Sequence, residues 1–287
     1  MRRYLAIVLS LFAVTAMVTA VYAGIRGHRN AMQVRFNKRD LPQQGVQIIT
    51  PVEESFDYIA SKYFNGTIPA SGQPFSVFIK NSSNKMVVAY ALTWEFAKTD
   101  GKIMSNTVGY SEPGVLMGDE IPNDLKHTTA ILPHEVRCFS WGSQIMPEES
   151  RDYDQVRAML ESQLSEATDL TVSLDGVVFD DGSFVGPNMV FFQQMQALVN
   201  AKIDLLREVA LGSKRKQLDR AFESIKAKAR EDDVTLGSTF SADEYYRHFR
   251  KMYASEIVAM TEAYGEEALV PHLTRSYLRA RPVKMSE

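Results

Sequence analysis

"TVSLDGVVFDDGSFVGPN", running from Thr171 to Asn188, is where the chain changes character. Upstream the hydrophobic pattern is that of short strands, and downstream it is that of helices. Within the stretch, Val172 and Leu174 share one face of a strand over Leu170–Leu174, and Val177 and Phe179 share a face of a following strand. Asp180-Asp181-Gly182-Ser183 falls where a hairpin must reverse, because both Asp and Gly tolerate positive φ. Gly186-Pro187-Asn188 then stops the strand and prepares a helix. The acids Asp175, Asp180 and Asp181 raise a second reading, a metal or polar-ligand site. A calcium loop needs acids at alternating positions and a distal glutamate, whereas adjacent residues on a strand point to opposite faces. The leading reading is a structural hairpin that closes a β domain.

Working back, "PFSVFIKNSSNKMVVAYALTWEF" has β-rich runs at Phe75–Lys80 and Met86–Phe96 around a polar Asn81–Lys85 turn. The second run alternates as Val88, Tyr90, Leu92, Trp94 and Phe96, which predicts a hairpin with one buried face. "TDGK" at Thr99–Lys102 supplies an Asp-Gly turn into a strand around Ile103–Tyr110. "HTTAILPHEVRCFSW" reads as two short strands broken at Pro133, which has no N–H to give a ladder. From Pro147, helical spacing of Tyr153, Val156, Leu160 and Leu164 predicts an inserted helix near 147–165.

"FSVFIKNSSNKMVVAYALTWEF" together with "AILPHEVRCFSW" resembles the immunoglobulin-like (Ig-like) β-sandwich modules of uncharacterised exported bacterial proteins. The resemblance implies architecture alone and carries no site residues. The expected fold class is therefore α+β, an antiparallel Ig-like β-sandwich over 45–187 followed by a C-terminal α-helical region over 188–287.

In that helical region, Met189–Leu211 stops at Gly212, read as a left-handed cap, and a second helix starts at Ser213 with Leu218, Phe222 and Ile225 on one side. Ser241 and Glu244 form a capping box, Phe240 and Tyr245 a hydrophobic staple, and Gly265 ends the helix. Its stripe is Tyr245, Phe249, Met252, Tyr253, Ile257, Met260 and Tyr264, read as core packing, with an aromatic groove as the alternative. Pro271 separates a short terminal piece containing Leu273, Tyr277 and Leu278.

At the other end, Arg2 and Arg3 precede an uncharged run from Tyr4 to Ala23. Residues 1–23 read as a signal peptide or membrane anchor, with membrane contact through this segment, and 24–44 as a basic linker. Arg26, Arg29, Arg35, Lys38 and Arg39 follow, and positive charge there opposes translocation. Export, to the periplasm or the exterior, is the expectation, and a cytoplasmic orientation stays open.

The formal charge of −3 lacks the basic excess of nucleic-acid binders. One cysteine, Cys138, excludes an intramolecular disulfide and any multi-thiolate metal site within one chain. Neither GxxxxGK[ST] nor GxGxxG occurs. "HEVRC", His134 to Cys138, lacks the second histidine of a zinc helix, and on a strand residues four apart stand about 13 Å from one another. The basic run Ser213–Arg230 reads as a solvated helix face. The chain thus reads as a non-catalytic binding or structural module of the cell envelope, without cofactor. Its expected partners are an envelope protein or a second copy meeting Tyr245, Phe249 and Tyr253. The alternative is a hydrolase or metal-dependent enzyme whose groups converge from distant positions, with His134, Asp175, Asp180 and Asp181 as the candidates.

Overall fold

The structure is a computed structural model, and it describes residues 35–63, 76–118, 129–140, 167–232 and 241–286. The apolar N-terminal run, the helix expected near 147–165 and Phe240 of the expected staple lie outside the described residues. No helix among the described residues is long and apolar enough to cross a membrane.

The strands are β1 (Arg35–Arg39), β2 (Val46–Ile49), β3 (Ser76–Asn81), β4 (Val87–Lys98), β5 (Ile103–Ser111), β6 (Val136–Ser140), β7 (Ala167–Phe179), β8 (Ser183–Val185) and β9 (Lys284–Met285). The helices are α1 (Glu54–Tyr63), α2 (Pro113–Leu116), α3 (Met189–Lys214), α4 (Leu218–Ala229), α5 (Ala242–Tyr264) and α6 (Glu266–Arg279). The fold is α+β, with largely antiparallel sheets and C-terminal helices. The large sheet runs β5-β4-β7-β8-β9, and β1 lies parallel to β7 on the side that β8 also uses. The small sheet is β2-β3-β6.

Three apolar clusters stack these elements. Val46, Ile48, Val77 and Ile79 of the small sheet meet Tyr90, Leu92, Trp94, Val172 and Leu174 of the large one. On the outer face of the small sheet, Phe56 and Ala60 of α1 cover Ile49 and Phe78. Beyond the large sheet, α3 to α6 bury Val88, Ala91, Val178 and Phe184 beneath Phe191, Phe192, Met195 and Val199.

The sequence predicts a β3–β4 hairpin, and the structure separates the two strands. β3 pairs with β2 and β6, while β4 pairs with β5 and β7. The reason lies in β4, which is buried from Val87 to Trp94 on both faces and therefore belongs in the middle of a covered sheet. At the corner between the sheets stands Asn81, fully buried. Its Nδ2 donates to the carbonyls of Lys85, Ile131 and Leu132, and its Oδ1 accepts from Ser83 N and Oγ. Such a bonded amide turns the chain without leaving buried polar groups unmatched.

Leu170–Leu174 and Val177–Phe179, expected as two strands, form the single β7. Leu92 faces Leu174 and Ala91 faces Gly176, so Asp175 is the extra residue of a bulge. The 24–44 segment, expected as linker throughout, already enters the sheet at Arg35. Arg35 pairs with Asp169 of β7 at 3.6 Å and Arg39 reaches across β7 to Glu95 of β4 at 3.8 Å, so its cations face acids of the sheet it joins.

Two helical expectations also change. α3 runs through Gly212 to Lys214, and a Cβ on Gly212 would come within 2.8 Å of the Ala221 Cβ. This glycine lets α4 approach, and the left-handed residue of the turn is Lys216, at φ 57°. α6 continues through Pro271, which lies near its start on an exposed side, where water can satisfy the freed carbonyl. The Ser241–Glu244 capping box and the stop at Gly265 are as expected.

Candidate functional site

The acids of the opening stretch are held in place by the fold. Asp180-Asp181-Gly182 turns β7 into β8, with Gly182 N donating to Phe179 O at 2.9 Å. Asp181 Oδ1 accepts from Ser183 N at 2.9 Å and from Ser183 Oγ at 2.5 Å, and its Oδ2 lies 2.7 Å from Lys85 Nζ. Burial raises the affinity of this carboxyl for its proton. The bonds from Lys85 and Ser183 and the Lys85 charge outweigh burial and hold the pKa at about 2. The Asp180 carbonyl accepts from Arg281 Nη1 at 2.6 Å, while Lys284 N donates to Gly182 O and Ser286 N to Phe184 O. The turn thus anchors the C-terminal segment.

Asp175 holds the bulge, and its carbonyl accepts from Asn188 N, the residue whose side chain caps α3 through Phe191 N. His134 is exposed in the turn before β6, at φ 64°. No group of three or more His, Cys, Asp or Glu able to hold a metal occurs among the described residues. His28 and His127 lie outside them. Burial pushes the Cys138 thiol up to about 12, against a weaker opposing bond from Ser76, so the thiol is the resting form.

The aromatic stripe of α5 divides. Tyr253 and Ile257 are buried in the helical core, so Tyr253 is not available to a partner. Tyr245 and Phe249 are half-buried, and Tyr245 Oη accepts from Gln194 Nε2 of α3. Met252 and Tyr264 are exposed. In the basic run, Lys226 pairs with Glu223 and Lys228 with Glu208, whereas Lys214, Arg215, Lys216 and Arg220 stand in solvent around the α3–α4 turn.

What the sequence reading missed is a charged cleft between α3, α4 and α5, about 320 Å³ in volume. Asp204, Arg207 and Glu208 come from one face of α3, Lys228 from the last turn of α4, and Tyr246 and Arg250 from successive turns of α5. Positions three and four apart on a helix share a face, which is the signal in the sequence. Only the packing of three helices shows that these faces converge. Tyr246 Oη donates to Asp204 Oδ2 at 2.7 Å, and Lys228 Nζ reaches Glu208 Oε2 at 2.6 Å. Arg250 Nη2 donates to both oxygens of Glu231, at 2.6 and 2.8 Å. The Arg250 Nε is buried and has no hydrogen-bond partner among the described residues.

Partial burial, then the bond to Asp204 and its charge, push the Tyr246 hydroxyl up to about 12, so at neutral pH it is a donor. The Arg250 guanidinium is displaced upward as well: burial opposes the charge, but its bonds to Glu231 and the charge of that carboxylate prevail. Cations and carboxylates alternate around the cleft, an arrangement suited to orienting a polar group through hydrogen bonds. Comparison of the chain with protein-family models, with curated proteins and with solved structures finds no match.

Proposed function

We propose that the chain is a binding module of the cell envelope, exported or held at the membrane by its first 23 residues, that acts without catalysis. The observation that carries the binding reading is the α3–α4–α5 cleft. The Arg250 Nε–H, buried and without an acceptor among the described residues, has a standing desolvation penalty, which a ligand oxygen relieves. The ligand this favours is a small polar molecule or segment presenting carboxylate, phosphate or carbonyl oxygens, received by Arg250. Placement in the envelope rests on Arg2, Arg3 and the uncharged Tyr4–Ala23 run. The β part we infer to be an Ig-like sandwich; the apolar core shared by the two sheets supports this.

Binding is tested by thermal melts of the full chain with glutarate, inorganic phosphate and a pentaglutamate peptide. At least one probe is expected to raise the melting temperature, and Arg250→Gln is expected to abolish that shift. No shift with any probe, or a shift that Arg250→Gln leaves intact, refutes the cleft as the binding site. Envelope placement is tested separately, by fractionation with a compartment-sensitive reporter fused to the C-terminus. A signal from the cytosol alone refutes export.

A further inference from the structure

β5 is the outermost strand of the large sheet, and among the described residues no strand pairs with its outer edge. Natural edge strands are normally blunted by charge, proline, a bulge or shortness. β5 has none of these. It is nine residues long, IMSNTVGYS, without a charge or a proline, and its register with β4 is unbroken from Ala89↔Ser111 to Ala97↔Ile103. Ile103, Ser105, Asn106, Thr107, Gly109 and Ser111 are all exposed.

The ladder defines which backbone groups face outward. At one end Lys98 N donates to Lys102 O, and at the other Glu112 N donates to Val88 O, both at 2.8 Å. Bonding toward one neighbour alternates along an antiparallel strand. The even-numbered residues of β5 therefore bond to β4. The odd-numbered ones, Ile103, Ser105, Thr107, Gly109 and Ser111, turn their N–H and C=O away from the sheet.

We propose that this edge pairs with β5 of a second copy of the chain, antiparallel about a two-fold axis at Thr107. Residues form a bonded pair only if both present outward groups. With the axis at Thr107, Thr107 faces Thr107 of the second copy, Ser105 faces Gly109 and Ile103 faces Ser111, so each outward donor meets an acceptor. The same register sets Lys102 opposite Glu112 of the second copy at both ends of the pair, and opposite charges placed so attract. The Lys102 side chain is 79% exposed, 2.9 Å from Asp100, and so has the freedom to reach across. Glu112 stands just past the strand, its carboxylate accepting from Thr129 N at 2.7 Å. Because the strand itself is uncharged, no like charges meet across the axis. On the helix side, Met189 and Val190 are exposed in the turn of α3 that carries Phe191 over Gly109, adding apolar surface close to the edge. This surface is separate from the charged cleft and does not depend on it.

A nine-residue strand pair is smaller than the roughly 1,200–2,000 Å² of a standard complex, so the association is reversible and cross-linking is the suitable probe. In the full chain, Thr107→Cys places a thiol opposite its own copy within disulfide reach. Mild oxidation is expected to convert this variant to a covalent dimer, whereas Ile103→Cys alone stays monomeric and Ile103→Cys mixed with Ser111→Cys cross-links. Thr107→Lys is expected to weaken the dimer at least about tenfold in sedimentation while the circular dichroism spectrum is unchanged. The proposal is overturned if Thr107→Cys cross-links no faster than an Asp219→Cys control. It is equally overturned if a dimer forms that Thr107→Lys leaves intact, since that dimer uses another surface.

Discussion

Asn81 and Ile131 stand 50 residues apart in the chain, yet the buried amide of Asn81 donates to the Ile131 carbonyl at 3.1 Å. The same amide serves Leu132 and Lys85, so one side chain joins the end of β3, the corner leading to β4 and the approach to β6. It stands in for the ladder that β3 and β4 do not form with each other.

Asn81→Ala removes one donor from each of three carbonyls, which keep only Ser83 Oγ, Val87 N and Glu135 N, and takes the acceptor of Ser83 N. The expected loss is about 3 kcal/mol of stability, read by denaturant unfolding of the full chain. Asn81→Asp is expected to be at least as harmful, because a carboxylate cannot donate to those carbonyls. A change within about 0.5 kcal/mol for either variant would show that the corner is held elsewhere.

The Lys85–Asp181 pair ties the β3–β4 corner to the β7–β8 turn. Asp181 is held at about 2, below the unfolded value near 3.9. A depressed carboxyl stabilises the fold fully above its unfolded pKa, and that contribution disappears as pH falls from about 4 through 2. Both side chains are nearly half exposed, so solvent screening keeps the contribution under about 1 kcal/mol. Asp181→Asn is expected to lower the melting temperature at pH 7 while flattening its fall between pH 4 and pH 2. An acid limb as steep as that of the wild type would assign the fall to other carboxyls.

Gly212 and Ala221 define how closely α3 and α4 approach. Gly212→Leu forces the helices apart and is expected to destabilise by about 1–3 kcal/mol. Gly212→Ala and Ala221→Gly exchange the same methyl between the two helices, so the double variant is expected to be more stable than the two single losses add up to. Strict additivity in that cycle would mean the contact is not limiting.

Local chemistry was legible. The Ser241–Glu244 box, the stop at Gly265 and the Asp-Gly reversals at Asp100-Gly101 and Asp181-Gly182 depend on groups within about four residues of each other, and each stands where the sequence puts it. The apolar stripe of α5 was legible as well, though Met252 and Tyr264 of that stripe face solvent. Alternation along β4 marked a strand, and it did not reveal that Val88 lies in a bulge and turns toward the helices.

The candidate site was legible only in fragments. Asp204 and Glu208, or Tyr246 and Arg250, are ordinary i, i+4 pairs on surface helices until α3, α4 and α5 converge. Of the acids that looked chemical, Asp180 holds the returning C-terminal segment through its backbone carbonyl, and Asp181 holds the β3–β4 corner through Lys85.

By itself, then, the sequence marks the runs that become β3, β4, β5 and the long C-terminal helices, the point near Gly186 where strands give way to helices, and the Ser241–Glu244 cap and Asp-Gly turns, because each is decided by short-range sterics and hydrogen bonds. The tertiary structure alone decides that β3 and β4 part company, that Arg35–Arg39 joins β7, and that Gly212 is a contact rather than a cap. Those outcomes depend on which distant surface covers a given face, and a pairing between residues scores or of more than a hundred apart leaves no periodicity in the segments it joins.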